Sequence, residues 1–213
     1  MNVLHELLRA NNIAAGGRIR ITVWRESQGA YLPVSDHSEV LIEVQPLESN
    51  TYIDNAPCRL AIYPHHRIAP SITSSFKTTS ALPYVLAARY AREKGVDDSL
   101  LLGAGLQVVE TTRSNIFIVK NKVLYTPPLT SGCLPGVMRR VVMDMAREHG
   151  IPCFELTLIP SFFVDASEVF LTNSLTGITP VARIGEIRFN GVENQYTMCD
   201  FFSKMLSRKT DFS

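Results

Sequence analysis

Two periodicities alternate along this chain. Val3, Leu4, Leu7 and Leu8 recur at helical spacing and predict a helix over 3–10, stopped by Asn11-Asn12. After Gly16-Gly17 the runs 18–24 and 39–44 alternate or cluster apolar residues and predict antiparallel strands with one wet face, joined through Gly29 and Pro33. A third apolar run, 59–63, ends at Pro64. Together these segments predict a helix packed on a small sheet, an incomplete α+β layer.

The character changes from Lys77 onward. Leu82, Val85, Leu86 and Tyr90 share a helical face, Pro83 fits the first turn, and Gly95 closes the element. Strands follow at 99–102 and 107–110 about Gly103-Ala104-Gly105, and runs 115–119 and 123–125 flank Lys120-Asn121-Lys122 as a hairpin. Pro135-Gly136 opens a second helix carrying Val137, Val141, Val142 and Met145 as far as Gly150. Strands at 168–172 and 179–184 precede a closing helix over 196–206 with Phe201, Phe202, Met205 and Leu206. The pattern predicts a mixed α+β fold in two parts: a small sheet domain with its linker over 1–75, then a larger domain over 76–213.

Composition narrows the class without choosing a chemistry. The 213 residues are 46% hydrophobic and 19% charged with a formal net charge of +1, so nothing draws the chain electrostatically to nucleic acid or an anionic membrane. No apolar run reaches the roughly 18 to 20 residues that a span requires. The start, Met1-Asn2-Val3-Leu4-His5-Glu6, lacks the basic stretch and apolar core of a signal peptide, which predicts a cytoplasmic protein. Cys58, Cys133, Cys153 and Cys199 form no Cys-x-x-Cys pair and are expected as free, mostly buried thiols. His65-His66 stands without a carboxylate or a second histidine at ligand spacing, so it reads as a solvated loop pair and no metal site is expected.

Candidate chemistry concentrates in four places. Lys77 lies in Ser74-Ser75-Phe76-Lys77-Thr78-Thr79-Ser80-Ala81-Leu82-Pro83, at the boundary of a helix; by residue type it is a solvated lysine, and by context an amine placed for Schiff-base chemistry. Glu110 ends the strand at Val108-Val109-Glu110. It is a surface charge, an acceptor for Arg113, or a partner for a cationic ring nitrogen, and the residue alone favours none of these. Gly136 stands at a helix start, where unpaired N–H groups favour phosphate, in Leu134-Pro135-Gly136-Val137-Met138-Arg139. Thr172-Asn173-Ser174-Leu175-Thr176-Gly177 puts small polar residues in a turn after a strand.

Taken in order, these blocks resemble the fold-type IV pyridoxal phosphate enzymes, or class IV aminotransferases, which include branched-chain aminotransferase, D-amino acid aminotransferase and aminodeoxychorismate lyase. The resemblance runs from about Arg18 to Ile184 and also rests on Thr126-Pro127-Pro128-Leu129, Ser114-Asn115-Ile116-Phe117 and Ile178-Thr179-Pro180-Val181. It implies a partial small N-terminal domain followed by a pseudo-barrel domain that binds pyridoxal 5'-phosphate. It also implies that Lys77 carries the cofactor as a Schiff base and shuttles protons, and that Glu110 pairs with the pyridine nitrogen. The backbone amides of Gly136, Val137 and Met138, with Asn173 and Ser174, would hold the phosphate. Family members are usually homodimers, and the implied substrate is an amino acid or amino-carboxylate.

Three departures qualify the resemblance. Met138 stands where many aminotransferases of the family have a threonine, removing one phosphate hydroxyl. Leu82 stands where branched-chain enzymes have a tyrosine, which leans toward the lyase and D-amino acid side. The early part of the small domain, with its phosphate-binding arginine, is not matched, and Arg18, Arg20 and Arg25 do not take that role. The resemblance therefore implies an aminotransferase-like enzyme, with two alternatives: an aminodeoxychorismate lyase releasing pyruvate and 4-aminobenzoate, or a family member without catalysis that serves as a binding module.

Overall fold

The computed structural model describes residues 3–14, 16–26, 29–47, 55–189 and 197–210. The chain divides into two compact units, Met1–Thr51 and Tyr52–Ser213.

In the smaller unit, helix α1 (Val3–Ala10) precedes strands β1 (Gly17–Arg25) and β2 (Ser38–Pro46), which pair antiparallel from Gly17 against Pro46 to Arg25 against Ser38. A Cβ on Gly17 would stand 3.0 Å from Ile13 and 3.3 Å from Leu8, so the end of α1 packs directly on the start of β1.

The larger unit is built on one nine-stranded sheet. Its strands are β3 (Cys58–Ile68), β4 (Asp98–Gly103), β5 (Val108–Thr111), β6 (Asn115–Lys120), β7 (Val123–Thr126), β8 (Cys153–Glu155), β9 (Glu168–Asn173), β10 (Gly177–Ile184) and β11 (Ile187–Arg188). Their order is β5-β4-β3-β10-β9-β6-β7-β8, with β11 beside β10. The sheet curls. Leu60, Leu100, Val108, Ile116, Val169, Leu171 and Val181, from β3, β4, β5, β6, β9 and β10, meet in a single buried cluster with Phe163. Edge strand β5 turns tightly toward β6, the Thr111 N–H donating to the carbonyl of Ser114, the residue before β6, at 2.9 Å.

Strict alternation sends the intervening residues to the convex face, where the helices lie. Phe117, Val119 and Phe170 pack under α3 (Val137–Glu148) and α4 (Met198–Thr210), and the Phe117 and Phe170 rings stack at 5.2 Å. Leu101 and Val109 pack instead with Ala87 of α2 (Leu82–Glu93), beside Tyr84 and Tyr90. Asn121 and Lys122 both have positive φ, the backbone of a tight two-residue hairpin turn.

Several expectations need correction. The 59–63 run does not belong to the small sheet. As β3 it pairs parallel with β4 and β10. Nor does Pro64 end it: the register slips between Ile62 and Arg67, and a proline is tolerated at such an irregularity. His65-His66 consequently lies within β3, exposed, and His65 makes edge contacts with Tyr63 and Tyr90. The α2 face is also rotated from the predicted one. Leu82, Val85 and Leu86 are 66%, 54% and 42% exposed, while Ala87 and Ala91 are buried against the sheet. Small residues let α2 sit close, and the Ser99 hydroxyl locks it there by donating to the Ala87 carbonyl at 2.8 Å. The first predicted residue of the last helix, Tyr196, lies outside the described residues.

Candidate active site

Glu110 is the centre of the site, and a β-bulge puts it there. Leu102 pairs with Val108 and Leu101 with Glu110, so Val109 is an extra residue on β5. Simple alternation would have sent Glu110 to the side of Val108, among Leu60 and Leu100 on the concave apolar face. The bulge turns it to the side of Leu101 and α2, where donors wait.

Glu110 is only 5% exposed, and among the described residues its carboxyl takes three hydrogen bonds. Tyr84, on the first turn of α2, donates its hydroxyl to Oε1 at 2.8 Å. The Leu134 N–H donates to Oε2 at 3.0 Å, and Asn115 Nδ2 to the same oxygen at 3.4 Å. Asn115 Nδ2 also donates to the Leu134 carbonyl at 2.8 Å, tying β6 to the segment that leads into α3. Burial pushes the Glu110 carboxyl above the ordinary carboxylate range, against the pull of Tyr84, the Leu134 amide and the charge of Lys77. A carboxylate offers about four lone-pair positions. With two donors on Oε2 and one on Oε1, the open position is on Oε1, suited to an N–H donor.

Lys77 is exposed, in the irregular segment between a 3-10 turn (Ile72–Ser75) and α2. Its ammonium is close enough to Glu110 to favour the ionised carboxylate. The segment that carries Lys77 leads directly into α2, the helix whose first turn bears Tyr84.

The helix-start block divides. Gly136, the residue before α3, donates its N–H to the Leu134 carbonyl at 2.8 Å, so this amide is already engaged. Those of Val137 and Met138 occupy the first turn, where helix geometry leaves N–H groups without an intrahelical acceptor. The Met138 side chain is buried in the core under α3, so only its backbone faces this chemistry. Gly136 is required by crowding: a Cβ there would overlap Asn115 Oδ1. Arg139 is structural. Buried at 5% exposure, it donates to the Pro127 carbonyl at 3.0 Å and pairs with Glu155 of β8.

Asn173 builds its own turn. Its Oδ1 accepts the N–H groups of Leu175 and Thr176, each at 2.9 Å, and its Nδ2 donates to Ser114 Oγ at 2.9 Å. Ser174 follows, exposed. Thr172 Oγ1, across the β6–β9 pair from Asn115, is buried without a hydrogen-bond partner among the described residues. The loop before Glu110's backbone donor is also constrained: Gly132 has φ +92°, and a Cβ would stand 3.3 Å from both Ile68 and Pro70.

Tyr84 and the Leu134 amide are the partners that sequence reasoning missed. The signal for Tyr84 was present as a polar-tipped aromatic one helical turn before Ala87, but the larger Leu82, Val85 and Leu86 had defined the wrong face. A backbone amide carries no side-chain signal at all.

The family model described as amino-transferase class IV matches residues 1–184. A putative branched-chain-amino-acid aminotransferase of Methanocaldococcus jannaschii is 41% identical over 113 residues, which is 53% of this chain and 39% of that protein. The chain thus spans about two fifths of that relative's length. Among solved structures, a branched-chain aminotransferase from Thermoproteus uzoniensis with norvaline is 28% identical with a TM-score of 0.86, covering 97% of this chain and 69% of its own. A putative 4-amino-4-deoxychorismate lyase from Legionella pneumophila is 27% identical with a TM-score of 0.81, covering 97% of this chain and 74% of its own. Two of these three names lie on the branched-chain side, opposite to the lean drawn from Leu82.

Proposed function

The chain belongs to the class IV aminotransferase family, and from that premise we propose that it is a pyridoxal 5'-phosphate-dependent aminotransferase acting on the amino group of an amino acid or related amino-carboxylate. The observation that carries this reading is the buried Glu110 carboxyl, with donors on both oxygens and one acceptor position left on Oε1. The residues of the larger unit fit the cofactor. Oε1 suits a protonated ring nitrogen, and the first-turn amides of α3 suit a phosphate at the positive end of a helix. Bound pyridoxal phosphate supplies an aldehyde for amino groups and a ring that withdraws electrons from the substrate α carbon.

The chain's own residues divide the remaining work. Lys77 Nζ would hold the cofactor and, once freed by substrate, would take the proton from the substrate α carbon and deliver it to the carbon of the cofactor that had been its aldehyde. Glu110 keeps the ring nitrogen positive. The amides of Val137 and Met138, with the turn that Asn173 holds at Ser174, bind the phosphate, and the engaged Gly136 amide is left out of that set. A second reading, elimination to pyruvate as in an aminodeoxychorismate lyase, is favoured by Leu82, whose position offers no hydroxyl, and by the likeness to the Legionella protein. We place the protein in the cytoplasm as a homodimer. Cys58, Cys133 and Cys153 are free thiols, which suits a reducing compartment, and Leu82, Val85 and Leu86 leave an apolar strip on α2 that suits a second copy. Light scattering that returns a monomer mass would remove the dimer.

The test of the main reading is direct. Incubation with pyridoxal phosphate and borohydride should fix a phosphopyridoxyl mass on Lys77, and Lys77→Ala should lose both the adduct and turnover. Folded protein that forms no adduct refutes it. Product assays with an amino acid plus keto acid, and with aminodeoxychorismate, separate the two chemistries.

A further inference from the structure

We propose that Tyr84 is a positioning residue for Glu110: its hydroxyl, on a rigidly seated helix, holds the carboxylate plane so that the one open acceptor position on Oε1 faces a cofactor ring nitrogen. This rests on the reading of Glu110 as the partner of that nitrogen. The geometry supplies three reasons.

The first concerns orientation. The terminal torsion of a glutamate is broad, so donors on Oε2 alone would leave the carboxyl free to swing. Leu134 and Asn115 both serve Oε2. Among the described residues Tyr84 alone serves Oε1, at 2.8 Å, and with a donor on each oxygen the plane is fixed.

The second concerns charge. A donor to the ionised form favours it. Burial raises the Glu110 proton affinity, and the Tyr84 hydroxyl is the largest influence acting the other way. Tyr84 remains a donor throughout, because burial and then the Glu110 charge push its phenol above the ordinary range.

The third concerns rigidity. Tyr84 sits two residues into α2, just after Pro83, half-buried against the cluster that Ala87, Leu101 and Val109 build between α2 and the sheet. The Ser99–Ala87 bond seats that helix on β4. The segment bearing Lys77 runs into the same helix start, so one hydroxyl links the mounting of the lysine to that of the glutamate.

Tyr84→Phe removes the hydroxyl and keeps the ring. In the full chain without cofactor, 13C NMR of labelled glutamate carboxyls, with the Glu110 signal identified by Glu110→Gln, should show the Glu110 midpoint moving upward in Tyr84→Phe. With pyridoxal phosphate added, affinity should fall about tenfold, the loss expected for one hydrogen bond to a charged group. The pH at which the visible spectrum of the bound cofactor changes should move as well. If Tyr84→Phe lowers the thermal midpoint by more than a few degrees, 3-fluorotyrosine at position 84, a stronger donor of nearly the same shape, should move the Glu110 midpoint downward. An unmoved midpoint in folded variants overturns the proposal. A midpoint that moves in a wild-type background forming no adduct on Lys77 defeats the cofactor reading instead, and with it the role toward the ring nitrogen, while leaving the Tyr84–Glu110 coupling.

Discussion

Gly136→Ala is the most discriminating single substitution for the site's architecture. The backbone before α3 is extended there, with φ −64° and ψ 139°, which alanine adopts freely. Relief of unfolded-state entropy alone would stabilise the variant by about 0.5–1 kcal/mol. Space says the opposite. The new Cβ would overlap Asn115 Oδ1 and stand 3.2 Å from Asn115 Cγ, and Asn115 is only 6% exposed. Displacing that side chain breaks its 2.8 Å bond to the Leu134 carbonyl, about 1 kcal/mol. It also weakens the satisfaction of the buried Glu110 carboxyl, about 1–3 kcal/mol. The balance is a net loss of about 1–3.5 kcal/mol, or roughly 2–14 °C in midpoint for a chain of this size. Urea denaturation of Gly136→Ala, Asn115→Ala and the double variant reads it. The cost of the glycine substitution should vanish or change sign in the Asn115→Ala background, because nothing is left to displace. An equal cost in both backgrounds would refute the role of Asn115 as the wedge between Gly136 and Glu110.

Other consequences are open to simpler measurements. Phe170→Ala removes a fully buried ring stacked on Phe117 and should cost about 3–5 kcal/mol in denaturant titration; a loss below 1 kcal/mol contradicts the packing between the sheet and its convex-face helices. Burial raises the carboxyls of Glu110 and Glu168, the latter despite the Met198 and Cys199 N–H groups that it accepts at the start of α4. The folded chain then binds these protons more tightly than the unfolded chain. Their contribution is therefore full below the ordinary carboxylate range and is lost as pH rises through the raised values. Glu168→Gln should make the fall in urea midpoint over that window shallower, and an unchanged slope argues against it. Burial pushes the Cys133 and Cys153 thiols up to about 11 and that of Cys58 to about 12, so an aromatic disulfide reagent at pH 8 should label them slowly in native protein and fully in urea. Fast native labelling at Cys133 would mean that the loop beside Glu110 opens.

The elements were legible because each carries its own period. Helix α1, the β1–β2 pair, the β6–β7 hairpin and α3 all fall where local spacing and turn residues put them. What failed was neighbourhood. The 59–63 run reads as a strand, but nothing in five apolar residues says that its partners are β4 and β10, long-range neighbours, and not β2. Strand β8 escaped notice because three residues offer no period, and it exists as an edge partner of β7. On α2 the larger side chains pointed to one face and the alanines occupied the other, since close packing on a sheet favours small residues over hydrophobic ones.

The chemistry divides along the same line. Residue types and their order singled out Lys77, Glu110, the α3 start and the Asn173 turn, because such blocks are local and survive as strings. Tertiary structure decided what each can do. The extra residue Val109 turns Glu110 from the apolar concave face to the donors of the convex one. Tyr84 and the Leu134 amide, 26 and 24 residues away in sequence, then occupy three-dimensional positions around its oxygens. The Gly136 amide is spent on its own turn, and the Met138 side chain on the core. A sequence fixes which groups are available. Which lone pairs and N–H groups remain open depends on hydrogen bonds made across long loops, and those exist only once the sheet has curled.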